Sequence, residues 1–156
     1  MKSVYIETTI PSYLAAWPSR DLIQAARQQL THDWWNSHRA DYELLTSQLV
    51  VDEAAGGDAD AAGRRLDILE GLPLLDFTSE VEALAFEIMA SGLLPDRASD
   101  DSLHIAVATI HQIDFLLTWN CKHIANAFIM KELRMLVSSG GYELPTIATP
   151  EELLEV

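Results

Sequence analysis

The feature that most restricts this chain is a regular alternation of short β-type apolar runs with longer stretches of helical period. Val4-Tyr5-Ile6, Leu44-Leu45-Thr46, Leu74-Leu75-Asp76-Phe77, Phe115-Leu116-Leu117-Thr118 and Thr146-Ile147-Ala148 are short, apolar and bounded by turn or cap residues, so they read as strands. Pro11 suits the first turn of a helix after the first of them. Residues 21–38 carry Leu22, Ile23, Ala26, Leu30, Trp34 and Trp35 at helical spacing. Ser47 can cap a helix through Val50, Val51 and Ala54 to Gly56-Gly57, and Asp58 restarts one through Leu66 and Leu69. Ser79 caps the stretch with Val81, Leu84, Ala85 and Ile88, ending near Gly92. Ser99 caps Asp100 to His111, which is apolar almost all round and should be buried. A last long helical pattern runs from Ile124 to Val137 and stops at Gly140-Gly141, and Pro150 opens a short terminal helix. Strand–helix alternation implies an α/β fold in three α/β/α layers, with a mainly parallel, roughly five-stranded sheet covered on both faces. The 156 residues fit a single domain, 1–156, without repeat or linker.

Sheets of this kind bind their ligands beyond the carboxyl ends of the strands. That rule selects Glu7, directly after the first strand, and Glu53, on the helix after the second. It also selects Asp100 and Asp101, which open the buried helix, and Asn120, after the fourth strand. Each has an ordinary explanation. Glu7 could be a polar strand end, Glu53 a solvated helix acid and Asn120 a turn residue, while acids favour a helix N-terminus. Those explanations do not require all of them to meet at one edge. Carboxylates that do meet repel unless protonated or bridged by a cation, and oxygen ligands favour Mg²⁺ or Mn²⁺ over zinc. Such a site suits phosphoryl chemistry.

Charge bears on the partner. There are 24 acidic against 10 basic side chains, a formal net charge of -14, the opposite of a protein that coats nucleic acid. A nucleic-acid substrate would need a local basic strip, a metal or a partner chain. Lys122, His123, Lys131 and Arg134 form the densest basic stretch and could meet a phosphate backbone, with Arg64 and Arg65 a weaker second candidate. Thr8 and Ser12 could hydrogen-bond the Glu7 carboxylate or the substrate. His104, in the buried helix, reads as a hydrogen-bonded core histidine. Cys121 and His123 have no second Cys/His pair at zinc-site spacing. Trp34 and Trp35 point to different helix faces, so one of them is expected at the surface. No Walker or GxGxxG loop is present. A lone cysteine suits a reducing cytosol, no apolar run approaches the roughly 20 residues that span a bilayer, and the N-terminus lacks a signal-peptide pattern, so the expectation is a cytoplasmic protein without membrane contact.

At these residues the chain resembles the PIN domain family, particularly the VapC-like toxins of bacterial toxin–antitoxin pairs. The resemblance runs from Val4-Tyr5-Ile6-Glu7-Thr8-Thr9-Ile10-Pro11-Ser12-Tyr13 through Asp101-Ser102-Leu103-His104-Ile105-Ala106 and Phe115-Leu116-Leu117-Thr118-Trp119-Asn120 to Pro145-Thr146-Ile147-Ala148-Thr149-Pro150-Glu151-Glu152. It implies a PIN-like fold and a Mg²⁺- or Mn²⁺-dependent endoribonuclease that cuts RNA to a 3′-hydroxyl and a 5′-phosphate, as a homodimer neutralised by a cognate antitoxin protein. Glu7 would replace the family's first Asp, Glu53 would be its Glu, Asp101 its third acid and Asn120 its fourth position, often Asp, with Asp100 an additional ligand. In that scheme Glu7 and Asp101 hold the metal, Glu53 orients or deprotonates the attacking water, and Asn120 positions a further water or ion. Glu at position 7 is a methylene longer than Asp, and Asn at position 120 removes a charge. The competing expectation is therefore a PIN-like protein-binding module with weak or no turnover. A phosphoacceptor regulator ranks lower, because Glu7 stands alone after its strand.

Overall fold

The computed structural model describes residues 1–154. The first strand, β1 (Lys2–Ile6), becomes the middle of a five-stranded sheet of order β3-β2-β1-β4-β5, in which every pairing is parallel. Its neighbours are β2 (Tyr42–Ser47) and β4 (Phe115–Leu117), with β3 (Leu74–Leu75) and β5 (Thr146–Ala148) at the edges. Val4, Tyr5 and Ile6 are consecutive and all fully buried. Successive strand residues face opposite sides, so both faces of the sheet are covered.

The covering helices fall into two groups. Helices α1 (Thr9–Ala15), α2 (Leu22–Ser37), α3 (Gln48–Ala54) and α4 (Ala59–Leu69) contact one another, as do α5 (Ser79–Ala90), α6 (Ser99–Ile110) and α7 (Ala127–Ser139). Ser47 and Asp58 start their helices as the sequence suggests and Asp21 caps α2, each side chain accepting a backbone N–H three residues on. Helix α6 buries Ile105, Ala106, Val107 and Ala108 completely, in keeping with its all-round apolar pattern.

Several boundaries differ from expectation, for local reasons. Strand β3 stops at Leu75 because the Asp76 carbonyl accepts from His111 Nε2 at 2.7 Å instead of continuing a ladder. Thr78, not Ser79, caps α5. Ala98 occupies the cap position of α6 after a 3₁₀ turn at Asp96–Ala98, so Ser99 is already helical. Helix α7 starts at Ala127 rather than Ile124, since the Ile124 and Ala125 N–H groups bond to the Asn120 carbonyl and Asn126 caps Phe128. Among the described residues no helix forms at Pro150. Glu152 folds back to accept from the Thr149 N–H and hydroxyl, making turns over residues 150–154. Trp34 is fully buried, and Trp35 is partly covered by Arg39, whose Cζ lies 4.7 Å from the ring centroid. The exposed tryptophan is Trp17. No helix of the described residues is long and apolar enough to cross a membrane.

Candidate active site at the carboxyl edge of the sheet

Strands β1 and β4 are adjacent, yet the chain leaves β1 toward β2 and leaves β4 toward β5. Their carboxyl ends are therefore the switch point at which an open α/β sheet makes a crevice. Glu7 sits there, with its amide bonded to the Leu117 carbonyl at 3.2 Å. Its side chain is only 4% exposed. The hydroxyls of Thr9 and Thr118 both donate to its Oε1 at 2.5 Å, and Oε2 has no hydroxyl donor among the described residues. Burial pushes the Glu7 pKa above its ordinary value, against the opposing pull of the His104 charge and of these hydroxyls.

Glu53 reaches the same edge from α3. Its Oε1 accepts from the Thr8 hydroxyl at 2.5 Å and lies 2.7 Å from His104 Nε2. The other face of His104 meets the Tyr5 hydroxyl at 2.8 Å, and that hydroxyl meets Ser47 Oγ at 2.7 Å. A buried relay thus runs Ser47–Tyr5–His104–Glu53. Burial alone would lower the His104 pKa, but the bond to Glu53 and the charges of Glu7, Glu53 and Asp101 raise it. Burial works against ionised Glu53 too, and the His104 and Thr8 bonds outweigh it, so the Glu53 pKa falls. Burial pushes the Tyr5 phenol up, so it stays neutral.

Asp101, at the start of α6, forms a third arm. Its Oδ1 accepts from Asn120 Nδ2 at 3.0 Å and its Oδ2 lies 2.9 Å from His123 Nδ1. Asn120 Oδ1 accepts the His123 N–H at 3.0 Å, and the Asn120 amide donates to Thr118 Oγ1 at 2.9 Å. Thr118 therefore joins the Glu7 arm to the Asp101 arm.

The predicted residues divide accordingly. Glu7, Glu53, Asp101 and Asn120 reach one edge, bound through Thr8, Thr9, Thr118, His104 and His123. Thr8 serves Glu53 rather than Glu7, and Ser12 Oγ donates to the Thr8 carbonyl at 2.9 Å. Asp100 is exposed on the first turn of α6. Lys122 is exposed just beyond Asn120, while Lys131 and Arg134 lie along α7 and line a shallow 550 Å³ surface cavity with Met130 and Met135. The sequence reading missed Thr9, Thr118 and His123 as members, and placed His104 in the core without its partner. A threonine at each end of the β1–β4 crevice was the available signal.

The donor chemistry fits a hard cation. All the candidate ligands are oxygens, and both Glu7 and Glu53 take their side-chain partners on Oε1. Both Asp101 oxygens carry a donor, but each carboxylate oxygen has a second acceptor position. Among the described residues no three His, Cys, Asp or Glu side chains stand close enough to hold an ion by themselves. A Mg²⁺ ion at this edge would take one or two of these carboxylates and complete its shell with water.

Comparison with known proteins agrees with this architecture. No curated protein matches the chain. A chain of the VapBC2 complex from Rickettsia felis, whose crystal structure holds a DNA fragment from the promoter, superposes with a TM-score of 0.59 at 15% identity, over 94% of this chain and 98% of that one. The likeness is one of fold. The PIN domain model matches residues 4–127, which include Glu7, Glu53, Asp101 and Asn120. Matched over most of its length by that model, with the all-parallel sheet to go with it, the chain belongs to the PIN domain family.

Proposed function

We propose that this chain is a divalent-metal-dependent endoribonuclease of the VapC-like toxin type, acting at the β1–β4 crevice. The observation that carries the reading is Glu7: a carboxylate buried at the switch point of the sheet, with its pKa raised and Glu53 and Asp101 arriving at the same edge. Buried carboxylates with raised pKa values are concentrated at functional sites. Glu7 and Asp101, with Asn120 and Asp100 beside them, would hold Mg²⁺ or Mn²⁺. When bound, that ion lowers the pKa of water and neutralises charge on phosphate oxygens. Glu53 is the group to orient or deprotonate the attacking water. Thr8 and His104 fix its Oε1 and keep it ionised with a lowered pKa, which favours Oε2 orienting the water over taking its proton. Lys122, Lys131 and Arg134 would meet the strand on the α7 side. The fold shared with a chain of the VapBC2 complex supports an antitoxin partner, and a homodimer belongs to the same proposal.

The test starts with the metal. Calorimetric titration of Mn²⁺ should saturate with wild type and fail with Asp101→Asn at unchanged thermal stability. Single-stranded RNA should be cut in Mn²⁺ and remain whole in excess chelator, and full cleavage in chelator sinks the scheme. The second reading, a binding module without turnover, is favoured by the bonds that Asn120 and His123 make to Asp101. It takes the lead if wild type binds no Mn²⁺ at millimolar concentration.

A further inference from the structure

The acid edge lies in a chain with a net charge of -14, so a phosphate approaching Glu7, Glu53 and Asp101 meets repulsion unless a cation stands beside them. Most candidates are placed elsewhere or already engaged. Arg64 is paired with Asp60, and Arg65 donates to the Ala54 and Gly56 carbonyls. Lys2 and Arg39 lie over Phe115 and Trp35, near the amino ends of β1 and β2. Arg27 on α2 differs. It makes no ion pair among the described residues, and its Cζ lies 5.1 Å from the centroid of Trp119, the residue between Thr118 and Asn120.

Arg27 is connected to the site by a fixed path. The Thr9 hydroxyl that donates to Glu7 also accepts the Trp119 N–H at 2.8 Å. Trp119 Nε1 donates to Thr31 Oγ1 at 2.7 Å, and the Thr31 hydroxyl donates to the Arg27 carbonyl at 2.6 Å. Tyr13 packs beside Trp119 with ring centroids 6.1 Å apart. Its hydroxyl, the largest influence on the guanidinium, raises the Arg27 pKa. The ring and the cation are thus set in place before any ligand arrives, which lowers the entropic cost of using them.

We propose that Arg27, seated on Trp119 beside Tyr13, is a phosphate-binding residue that receives the RNA backbone on the α2 side of the acid site. This rests on the nuclease reading and adds a backbone contact at the β4 end of its acid site, beside Trp119. A planar guanidinium held over a ring grips a phosphate with its free edge and leaves the base to stack nearby.

The experiment follows binding of a short, labelled RNA in Mn²⁺ across a salt series, read by stopped flow ahead of cleavage. Arg27→Gln should weaken binding about tenfold and flatten the slope of log K against log salt by about 0.7, the share of one single-strand phosphate contact. Arg27→Lys should restore the slope, which a purely structural role would not do. Equal affinity and slope in wild type and Arg27→Gln overturn the proposal and leave the nuclease reading standing. A wild type that takes up Mn²⁺ yet binds no RNA overturns both.

Discussion

The two ends of the β1–β4 pair hold an acid each, built from similar parts and behaving in opposite ways. At the amino end, Asp114 accepts from the Ser3 N–H at 2.9 Å and from the Ser3 hydroxyl at 3.2 Å. At the carboxyl end, Glu7 accepts the Thr118 hydroxyl at 2.5 Å across the same strand pair, with Thr9 adding a second. Asp114 is open to water, and the Ser3 amide and hydroxyl with Lys2 hold its carboxyl below the ordinary value. Glu7 is closed off from water, and burial carries it the other way. Hydroxyl donors therefore do not make an acid functional. An exposed acid with donors is a strand clamp, whereas a buried acid with donors is a charge stored at some cost.

Three changes test that contrast, the largest first. Glu7→Gln keeps an acceptor for Thr9 and Thr118 but removes the charge. RNA cleavage should fall by about 100-fold or more. The raised pKa means that folded protein holds the Glu7 proton longer than unfolded chain, so wild-type stability declines as pH rises from the ordinary 4.5 through the folded value. Glu7→Gln should therefore have the higher Tm near about pH 8, by about 2–4 °C per kcal/mol relieved, and lose that advantage at acid pH. A variant that is less stable at every pH would break the contrast.

His104→Gln comes second. The His104 pKa is raised from 6.5, so its contribution to stability is complete below that value and lost as pH climbs through the folded one. Thermal melts should show a cost of about 1–3 kcal/mol near about pH 6 that shrinks near about pH 9. A cost independent of pH would assign His104 to packing alone.

Asp114→Asn is the smallest. Its pKa is lowered, so what it contributes exists above the ordinary 3.8 and disappears as pH falls through the folded value. After solvent screening the loss should stay under about 1 kcal/mol, with cleavage and Mn²⁺ binding unchanged. Any loss of cleavage there would mean that the two ends are coupled.

The fold and the acids were legible for different reasons. Strand and helix periods fixed the layers, because Val4-Tyr5-Ile6 has no polar face and α6 has almost none. The rule of carboxyl ends then brought Glu7, Glu53, Asp100, Asp101 and Asn120 forward from position alone, and all but the exposed Asp100 meet in the hydrogen bonds at that edge. What stayed hidden was the partner of each. Thr8 bonds Glu53 across 45 residues and His104 bonds Glu53 across 51, contacts that exist only once α1, α3 and α6 are packed. Arg27 was hidden for the same reason, since α2 offers no local sign that Trp119 will lie beneath it. Element ends failed where a single side chain intervened, as His111 does at Asp76 and Glu152 at Thr149.

The central position of β1 also bears on how the molecule comes together. In chain order β1 precedes both strands that flank it, and it pairs with β4 at a constant separation, as in Val4 with Phe115. The bond from Thr118 to Glu7 spans 111 residues, the same offset. During synthesis a chain folds from its N-terminal side as it lengthens, and distant pairings form last. Until β4 has been made, the central strand has one neighbour, β2, and the Glu7 carboxylate lacks its Thr118 donor. Fragments ending before β4 should therefore lack the complete acid edge, and the pairing of β4 with β1 closes the middle of the sheet and assembles that edge in one event.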